Sequence, residues 1–177
     1  MSTGVRDTDL RQWIRDVPDF PKPGILFRDV TPLLADAKAF RAAVEALAAP
    51  FQGQGIERVL GIESRGFILG GPVALALGAG LVIVRKAGKL PWRTVRATYE
   101  LEYGTDTVEM HQDAVAEGQR VLIVDDLIAT GGTAGAAVRL ARDAKAEVVG
   151  CAFLIELTAL GGRSRLGVPK THVVIQY

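Results

Sequence analysis

The chain has 177 residues, of which 49% are hydrophobic, and a formal net charge of +1. This length and apolar content predict a folded globular domain and exclude an intrinsically disordered chain. The near-neutral charge disfavours nucleic acid as a partner, because no excess of basic residues is available to neutralise phosphates along a duplex. The single cysteine, Cys151, excludes a disulfide framework and favours the cytoplasm as the compartment. The charged N-terminal residues argue against a signal peptide, and no apolar run is long enough to predict a membrane span.

The N-terminal part of the chain is predicted to contain two helices separated by a loop. Residues 7–17 (DTDLRQWIRDV) have the pattern of a short helix that ends before a proline. Residues 19–34 (DFPKPGILFRDVTPLL) are predicted to form a loop, because two prolines and a glycine disfavour regular structure. An amphipathic helix follows, with Asp36 as its N-cap. The apolar face of that helix comprises Ala37, Phe40, Val44, Leu47 and Phe51.

From residue 58 onward, short apolar runs alternate with helical patterns. Strands are predicted at RVLGI, LVIVR, RVLIVDD, EVVGCAFLIEL and THVVIQY, and helices at GFILGGPVALALG and TAGAAVRLARDA. This alternation predicts a single α/β domain with a central, mostly parallel sheet covered by helices on both faces. Ligands of such sheets bind beyond the carboxyl ends of the strands.

One segment, about residues 92–113, departs from this alternation. In TVRATYELEYG apolar and polar residues alternate, and TDTVEMHQD follows directly. The pattern predicts an antiparallel hairpin with one solvent-facing side, inserted into the α/β array. Such a hairpin is either a flap over a site or a plain surface feature.

The stretch VLIVDDLIATGGTAG contains the most informative chemistry. Asp125 and Asp126 follow four apolar residues, and Thr-Gly-Gly-Thr then opens a helix. A solvated turn explains the glycines but not the adjacent acids. A magnesium-binding strand of a nucleotide hydrolase needs a partner G-x-x-x-x-G-K-[ST] loop, and a dinucleotide site needs G-x-G-x-x-G; the sequence contains neither.

The remaining interpretation of this stretch is a ribose 5-phosphate site. Backbone N–H groups at the start of a helix, with two threonine hydroxyls, suit one phosphate group. The acids suit sugar hydroxyls or the water shell of a magnesium ion, because carboxylates accept hydrogen bonds from both. The residues assigned to this site are Asp125, Asp126, Ala129, Thr130, Gly131, Gly132 and Thr133.

A hydrophobic run, two acids, a small residue and T-G-G-T resemble the signature of the type I phosphoribosyltransferase family, which binds phosphoribosyl pyrophosphate. The segments DFPKPGILFRDVTPLL, ESRGF, RKAGKLP, YELEYG and ELTALGGR resemble, in order and approximate spacing, the adenine-specific members of that family. The resemblance extends from about Pro18 to the C-terminus. It implies the type I fold, with residues 1–35 as a base-recognition segment and the hairpin as a flexible catalytic flap.

The resemblance also implies roles that the residues alone leave open. On sequence alone, ESRGF fits a strand–helix turn, RKAGK a solvated basic loop, and the apolar base-site residues a simple core. In the family, the two loops contact pyrophosphate, two leucines sandwich the purine ring, and the backbone around an arginine recognises the amino edge of adenine. The implied pyrophosphate residues are Glu63, Ser64, Arg65, Gly66, Arg85, Lys86 and Lys89. The implied adenine residues are Leu26, Phe27, Arg28 and Leu157.

For catalysis, the resemblance implies Glu102, with Tyr103 beside it in the flap, as the group that handles the proton of the base. An ordinary surface glutamate is the alternative, and Glu100 lies on the same predicted face. Ala129 stands where family members acting on 6-oxopurines have an aspartate, which favours adenine. His111 and His172 have no partners that suggest a role.

The expected reaction is therefore formation of AMP and pyrophosphate from adenine and phosphoribosyl pyrophosphate. The resemblance implies Mg²⁺ carried by the donor, without direct protein ligands, and contacting Asp125 or Asp126 through water. It also implies a homodimer, because the arginine of the RKAGK loop can reach across the interface in the family. Two alternatives remain: a transferase for another base, such as xanthine or a pyrimidine, and a non-catalytic sensor of phosphoribosyl pyrophosphate.

Overall fold

The computed structural model describes residues 9–101 and 104–177. The strands in this part of the chain are β1 (Arg15–Pro18), β2 (Leu26–Asp29), β3 (Arg58–Ile62), β4 (Gly80–Lys86), β5 (Thr94–Glu100), β6 (Thr105–His111), β7 (Arg120–Ile128), β8 (Glu147–Glu156) and β9 (Thr171–Gln176). The α-helices are α1 (Thr31–Ala35), α2 (Ala37–Ala48), α3 (Arg65–Leu77) and α4 (Gly132–Asp143). Short 3₁₀ helices span Leu10–Trp13, Ala49–Phe51, Thr158–Leu160 and Gly162–Arg165.

A seven-stranded sheet in the order β5-β6-β4-β3-β7-β8-β9 forms the centre of the molecule. Strands β4, β3, β7, β8 and β9 are parallel, and β5 and β6 continue the sheet in antiparallel pairing at the β4 edge. The predicted α/β architecture with a mostly parallel central sheet is therefore confirmed.

Strand β7 shows why this sheet is covered on both faces. Val121 and Ile123 pack into a core cluster with α4, whereas Leu122 and Val124 pack into a second cluster with α2 and α3. Because successive side chains of a strand point to opposite faces, an uninterrupted apolar run requires helices on both sides.

The sheet brings two strand–helix turns together at one edge. Strand β3 ends at Ile62 and α3 begins at Arg65; β7 ends at Ile128 and α4 begins at Gly132. Since β3 and β7 are adjacent and parallel, both turns lie at the carboxyl edge of the sheet. This is the edge where the sequence predicts ligand binding.

The helix predicted at residues 7–17 is wrong apart from one 3₁₀ turn at Leu10–Trp13, and the loop predicted at 19–34 is correct only for residues 19–25, because β2 and α1 occupy most of the rest. After the first 3₁₀ helix, β1 pairs with β2 in an antiparallel, two-stranded sheet. The Asp19 carboxylate accepts a hydrogen bond from the Gly24 N–H at 2.8 Å and closes the turn between the strands. The prolines between the strands lie in this turn, so they do not prevent pairing on either side.

Helix α2 begins as predicted, but its buried face is different. The Asp36 carboxylate caps the helix by accepting hydrogen bonds from the N–H groups of Lys38 (3.0 Å) and Ala39 (2.8 Å). Leu47 and Phe51 are buried, whereas Phe40 and Val44 lie at the margin and Ala37 is exposed. Alanines, which the pattern of large apolar residues does not include, occupy the centre of the buried face: Ala39, Ala43 and Ala48.

The predicted antiparallel hairpin is confirmed, with Thr94–Glu100 pairing with Thr105–His111. It extends the sheet, because Arg85 and Lys86 of β4 pair with β6. Glu102 and Tyr103, which lie between the two strands in the sequence, are outside the described residues. Among the described helices, none is both long and apolar enough to cross a membrane.

Candidate active site

Two acids lie within β7, near its carboxyl end. The strand continues to Ile128, so Asp125 and Asp126 precede its end, whereas the sequence predicts that the strand stops at them. Asp126 is buried and forms an ion pair with Arg65. The Asp125 carboxylate accepts a hydrogen bond from the Asp126 N–H at 2.9 Å.

The two carboxylates have different electrostatic surroundings. Burial, followed by the negative charge of Asp126, raises the pKa of Asp125 well above its ordinary value. By accessible area Asp125 is only half-buried, so a ligand at the sheet edge can reach it. Hydroxyl donors or a cation would stabilise its charged form, which agrees with a role in binding sugar hydroxyls.

The N-terminus of α3 packs directly against these acids. A Cβ atom at Gly66 would lie 2.8 Å from the Val124 carbonyl oxygen and 2.9 Å from the Asp125 Oδ1 atom, so this position requires glycine. Ser64 is exposed and, within the described part of the chain, makes no capping hydrogen bond with its side chain. Arg65 and the uncapped N–H groups of the helix suit an anion at this turn.

The Thr-Gly-Gly-Thr turn is closely packed on both sides. Gly131 has φ +82°, and a Cβ atom there would lie 2.6 Å from the Gly162 carbonyl oxygen. Gly162 in turn lies against the carbonyl of Ala129. A Cβ atom at Gly132 would lie 3.0 Å from the Tyr99 ring. The backbone of the turn is therefore held in one conformation by the loop before residue 163 and by β5.

A cavity of about 320 Å³ opens beside this turn. Its lining includes Thr130, Gly131 and Gly132, together with the cations Arg139 and Arg165. Thr133 lies in the first turn of α4 and is half-buried. The predicted phosphate residues thus lie together, and the two arginines, which sequence reasoning missed, increase the positive charge at this end of the sheet.

A buried ion pair holds the loop that carries Gly162. Arg163 donates to the Glu156 carboxylate at 2.6 Å, and Gln176 donates to the same carboxylate at 2.9 Å. Burial raises the pKa of Glu156, but these hydrogen bonds outweigh it and lower the pKa overall. The charged form of Glu156 therefore fixes the loop against the phosphate turn. In the sequence, the contact between this loop and the phosphate turn is indicated only by the two adjacent glycines of ELTALGGR.

Glu63 connects the two loops that are predicted to bind pyrophosphate. Its carboxylate accepts hydrogen bonds from the Arg85 guanidinium at 3.1 and 3.2 Å and from the Lys86 N–H at 3.0 Å. The Arg85 hydrogen bonds are the largest cause of a lowered pKa at Glu63, with burial acting in the opposite direction. A carboxylate engaged in this way positions the cations and does not itself contact an anion.

The remaining cations of this loop are more accessible. The Lys86 ammonium forms an ion pair with Asp106 at 3.1 Å and is 62% exposed. Lys89 is exposed, and its carbonyl oxygen accepts a hydrogen bond from Arg85 at 3.1 Å. The Tyr99 hydroxyl also donates to Asp106, at 3.2 Å, which links the basic loop to β5.

The predicted base-binding residues lie on two separate segments of the chain. Leu26, Phe27 and Arg28 lie in β2, and Leu157 follows β8. The Arg65 guanidinium lies 5.5 Å from the centre of the Phe27 ring, which brings β2 next to the acid pair. Leu26 is 45% exposed and thus available to a ligand. The Leu157 N–H donates to the Ile128 carbonyl at 3.0 Å, close to the phosphate turn.

Glu109, which sequence reasoning missed, organises the basic loop from β6. It is 1% exposed, and its carboxylate accepts four hydrogen bonds. The donors are the N–H groups of Gly88 (3.0 Å) and Leu90 (3.2 Å), the Thr94 hydroxyl (3.1 Å) and the Arg96 guanidinium (3.0 Å). Glu109 faces Arg96 across the hairpin, and this pairing could have indicated its role. The pairing can be recognised only when the register of the two strands is known.

We expect Glu109→Gln to lower the free energy of unfolding by about 1–3 kcal/mol, because an amide cannot satisfy four donors. Burial raises the pKa of Glu109, but the four donors outweigh it and lower the pKa below its ordinary value of 4.5. The carboxylate therefore stabilises the fold above pH 4.5, and this contribution is lost as the pH falls through the folded-state pKa. Denaturant titrations at neutral and acidic pH should show a difference between wild type and variant that shrinks in acid.

Glu117→Gln is the matched control for that experiment. Glu117 pairs with Lys145 at 3.1 Å, but both side chains are at least 70% exposed. An exposed pair of this kind contributes at most about 1 kcal/mol. Equal effects of the two substitutions would contradict the role given to Glu109.

Cys151, His172 and His111 belong to the structural part of the molecule. Burial raises the pKa of the Cys151 thiol to about 12, so it stays protonated. His172 hydrogen-bonds the Ala46 carbonyl oxygen at 3.0 Å, and burial lowers its pKa. The His111 ring packs edge-on against Trp92, with the ring centres 6.3 Å apart.

Comparison with known proteins identifies the class to which this site belongs. Residues 33–175 match the phosphoribosyl transferase domain family. A curated adenine phosphoribosyltransferase from Maricaulis maris is 58% identical over 169 residues, covering 94% of this chain and 97% of that protein. The chain therefore belongs to the phosphoribosyltransferase family.

Solved structures support the adenine-specific branch of the family. The crystal structure of adenine phosphoribosyltransferase from Rhodothermus marinus matches with a TM-score of 0.91 and 61% identity, covering 96% of this chain and 97% of that one. The Saccharomyces cerevisiae enzyme, complexed with an imino-altritol bisphosphate and adenine, matches with a TM-score of 0.89 and 42% identity, covering 94% and 96% of the two chains. The resemblance found in the sequence is confirmed.

Proposed function

We propose that the protein is an adenine phosphoribosyltransferase, a pentosyltransferase of purine salvage that converts adenine and phosphoribosyl pyrophosphate to AMP and pyrophosphate. The observation that supports this most directly is the shared edge of β3 and β7. There Arg65 pairs with Asp126 of the acid pair and lies 5.5 Å from the centre of the Phe27 ring, and β7 continues into the glycine turn. We propose the cytoplasm as its compartment, where the Cys151 thiol stays reduced.

In the proposed reaction, a ring nitrogen of adenine forms a bond to C1 of the ribose as the bond from C1 to the pyrophosphate oxygen breaks. Positive charge develops on the ribose during this step, as in other glycosyl transfers. Asp125 and Asp126 hold the ribose hydroxyls and favour that charge. Glu102 accepts or relays the proton that leaves the base. The residues of the Thr-Gly-Gly-Thr turn hold the 5-phosphate at the start of α4.

The departing pyrophosphate is stabilised by cations. Arg65 and the N-terminus of α3 face it from one side, and Lys86 and Lys89 from the basic loop. Mg²⁺ bound to the donor would neutralise further charge on the leaving group. Among the described residues there is no cluster of three acidic, histidine or cysteine ligands for a metal. Asp125 and Asp126 fit water-mediated contacts to a donor-bound ion.

Two features support adenine as the base. Ala129 offers no acid to the 6-oxo edge of hypoxanthine or guanine, and its carbonyl packs against Gly162. By resemblance to the family, the backbone around Arg28 would recognise the amino edge of adenine, since one N–H and one C=O complement the acceptor and donor on that edge.

The direct test is release of pyrophosphate from phosphoribosyl pyrophosphate, with Mg²⁺ present and each free base supplied in turn. We expect release with adenine and not with hypoxanthine, guanine, xanthine or uracil. Release with one of the other bases alone would indicate a different transferase. Binding of the donor without release by any base would indicate a sensor.

We also propose that the protein is a homodimer that associates through the outer surface of α3 and β4. This surface has four exposed apolar side chains: Ile68 (46%), Leu75 (83%), Leu81 (43%) and Ile83 (37%). Leu81 lies beside Gly70 and Gly71 of α3, so the helix and the strand form one continuous face. Apolar patches of this kind on a folded domain mark association sites. The neighbouring Arg85 would then lie near the interface.

Sedimentation velocity at micromolar concentration is expected to show a dimer. Ile83→Glu would place a charge in the apolar face and is expected to yield monomers. Ala37→Glu, at an exposed position on α2, is the control and should leave the dimer intact. A monomeric wild type would contradict the proposal, as would a dimeric Ile83→Glu variant.

A further inference from the structure

The proposed adenine site is built from two separate sheets. Strand β2, with Leu26 and Arg28, belongs to the two-stranded sheet, whereas Leu157 follows β8 of the seven-stranded sheet. An isolated pair of strands is only marginally stable in water. The ion pairs Arg28–Asp16 and Arg15–Asp29 join β2 to β1, so they do not fix β2 relative to the larger sheet.

Tyr177 connects these two halves. Its backbone is fixed to the loop after β8: the Tyr177 carbonyl accepts hydrogen bonds from the N–H (2.9 Å) and hydroxyl (2.7 Å) of Thr158. The Tyr177 N–H donates to the Glu156 carbonyl at 2.9 Å. These contacts lie on either side of Leu157, one proposed wall of the adenine site.

The Tyr177 ring reaches the other half of the site. The Arg28 guanidinium carbon lies 3.8 Å from the ring centre, and the Arg28 side chain is only 16% exposed. A cation over an aromatic face at this distance, shielded from water, is held in a defined orientation. Arg11 lies near the same ring at 5.0 Å and donates to the Gln176 carbonyl at 2.7 Å, so these contacts reach Tyr177 and β9 rather than β2 itself.

We propose that Tyr177 is a positioning residue for the adenine site: by stacking against Arg28 it fixes β2 at the correct distance from Leu157. This inference rests on the proposed function, since it assigns adenine to that gap. It predicts an effect on adenine binding alone, because the phosphate turn and the basic loop are held by other contacts, through Glu156 and Glu63.

The test compares Tyr177→Leu, which keeps apolar volume but has no aromatic face, with Tyr177→Phe, which keeps the ring. For Tyr177→Leu we expect the KM for adenine to rise by about 5- to 30-fold, with kcat and the KM for the donor nearly unchanged. Tyr177→Phe keeps the aromatic face, so its KM for adenine should stay within about twofold of the wild-type value. Titration calorimetry with adenine provides a second readout that is independent of turnover.

Two further variants separate positioning from general destabilisation. Arg11→Ala removes the other cation near the ring and is expected to leave the KM for adenine unchanged. The double variant Tyr177→Leu with Arg28→Met should bind adenine no worse than Arg28→Met alone, because each substitution removes the same contact between Arg28 and the Tyr177 ring. Equal rises in the KM values for adenine and donor, or no rise in Tyr177→Leu, would overturn the inference. Failure of the wild type to form AMP would instead overturn the proposed function.

Discussion

Replacement of Glu102 by glutamine is expected to lower kcat by about 10²–10⁴-fold, because an amide cannot take up the proton that leaves the base. Binding of phosphoribosyl pyrophosphate should change by no more than about threefold, since the residues proposed to hold the donor lie elsewhere. Single-turnover kinetics, combined with a donor-binding titration, would measure both quantities.

Glu100→Gln provides the matched control for this prediction. Glu100 is an exposed residue of β5, two positions before Glu102, and carries the same functional group. We expect its replacement to leave kcat close to the wild-type value. If Glu102→Gln retained full turnover, or if Glu100→Gln were the slower variant, proton handling would have to be assigned to another group.

Gly131→Ala is expected to weaken donor binding strongly at the turn proposed to hold the 5-phosphate. A non-glycine residue at φ +82° costs about 1–2 kcal/mol, and the new Cβ atom would lie 2.6 Å from the Gly162 carbonyl oxygen. Relief of this contact requires the backbone to move, which misaligns the N–H groups aimed at the phosphate. We expect kcat/KM for the donor to fall by about 10²–10³-fold, as when preorganised donors are lost from other sites.

Gly135→Ala tests whether that loss is specific to the turn. Gly135 lies one turn further along α4, and a Cβ atom there would approach nothing closer than an Arg139 nitrogen at 4.0 Å. Alanine at this helical position should stabilise the protein by about 0.5–1 kcal/mol. Gly135 lines the same cavity as the turn, but its backbone is not strained, so we expect kcat/KM to fall far less than in Gly131→Ala. Thermal unfolding of both variants, alongside donor KM values, would show whether the phosphate turn needs glycine for its shape.

The parts of the molecule that the sequence predicts correctly are those encoded locally. Strands β3, β7 and β8 are continuous apolar runs that only a doubly covered sheet can bury. The acid pair and the Thr-Gly-Gly-Thr turn are neighbours in the chain, so the sequence alone places them side by side, and their chemistry stays a prediction. Asp36 is recognisable as an N-cap because capping depends on the next three residues.

The parts that sequence reasoning missed depend on contacts between distant segments. Pairing of β1 with β2 overrides the helical pattern of residues 9–17, because a tertiary partner outweighs weak local propensity. Glu109 looks like an ordinary surface residue until β5 and the basic loop are placed around it. Gly162 becomes informative only when its carbonyl is found against Gly131. Positions 102 and 103, where the resemblance assigns the catalytic group, remain a prediction.

The link between Arg28 and Tyr177 also affects the order in which the molecule is assembled. Neighbouring contacts include Arg11 with Gln176, which are 165 positions apart. Contacts of such long sequence separation form late, because closing the intervening chain costs entropy before any contact is gained. Strands β3 and β7 pair side by side, and their pairing closes a much shorter stretch of chain than the contacts that residues 176 and 177 make with the N-terminal segment. We therefore expect the centre of the sheet to form before the contact between Arg28 and Tyr177, so that the proposed base site is completed only after the rest of the sheet.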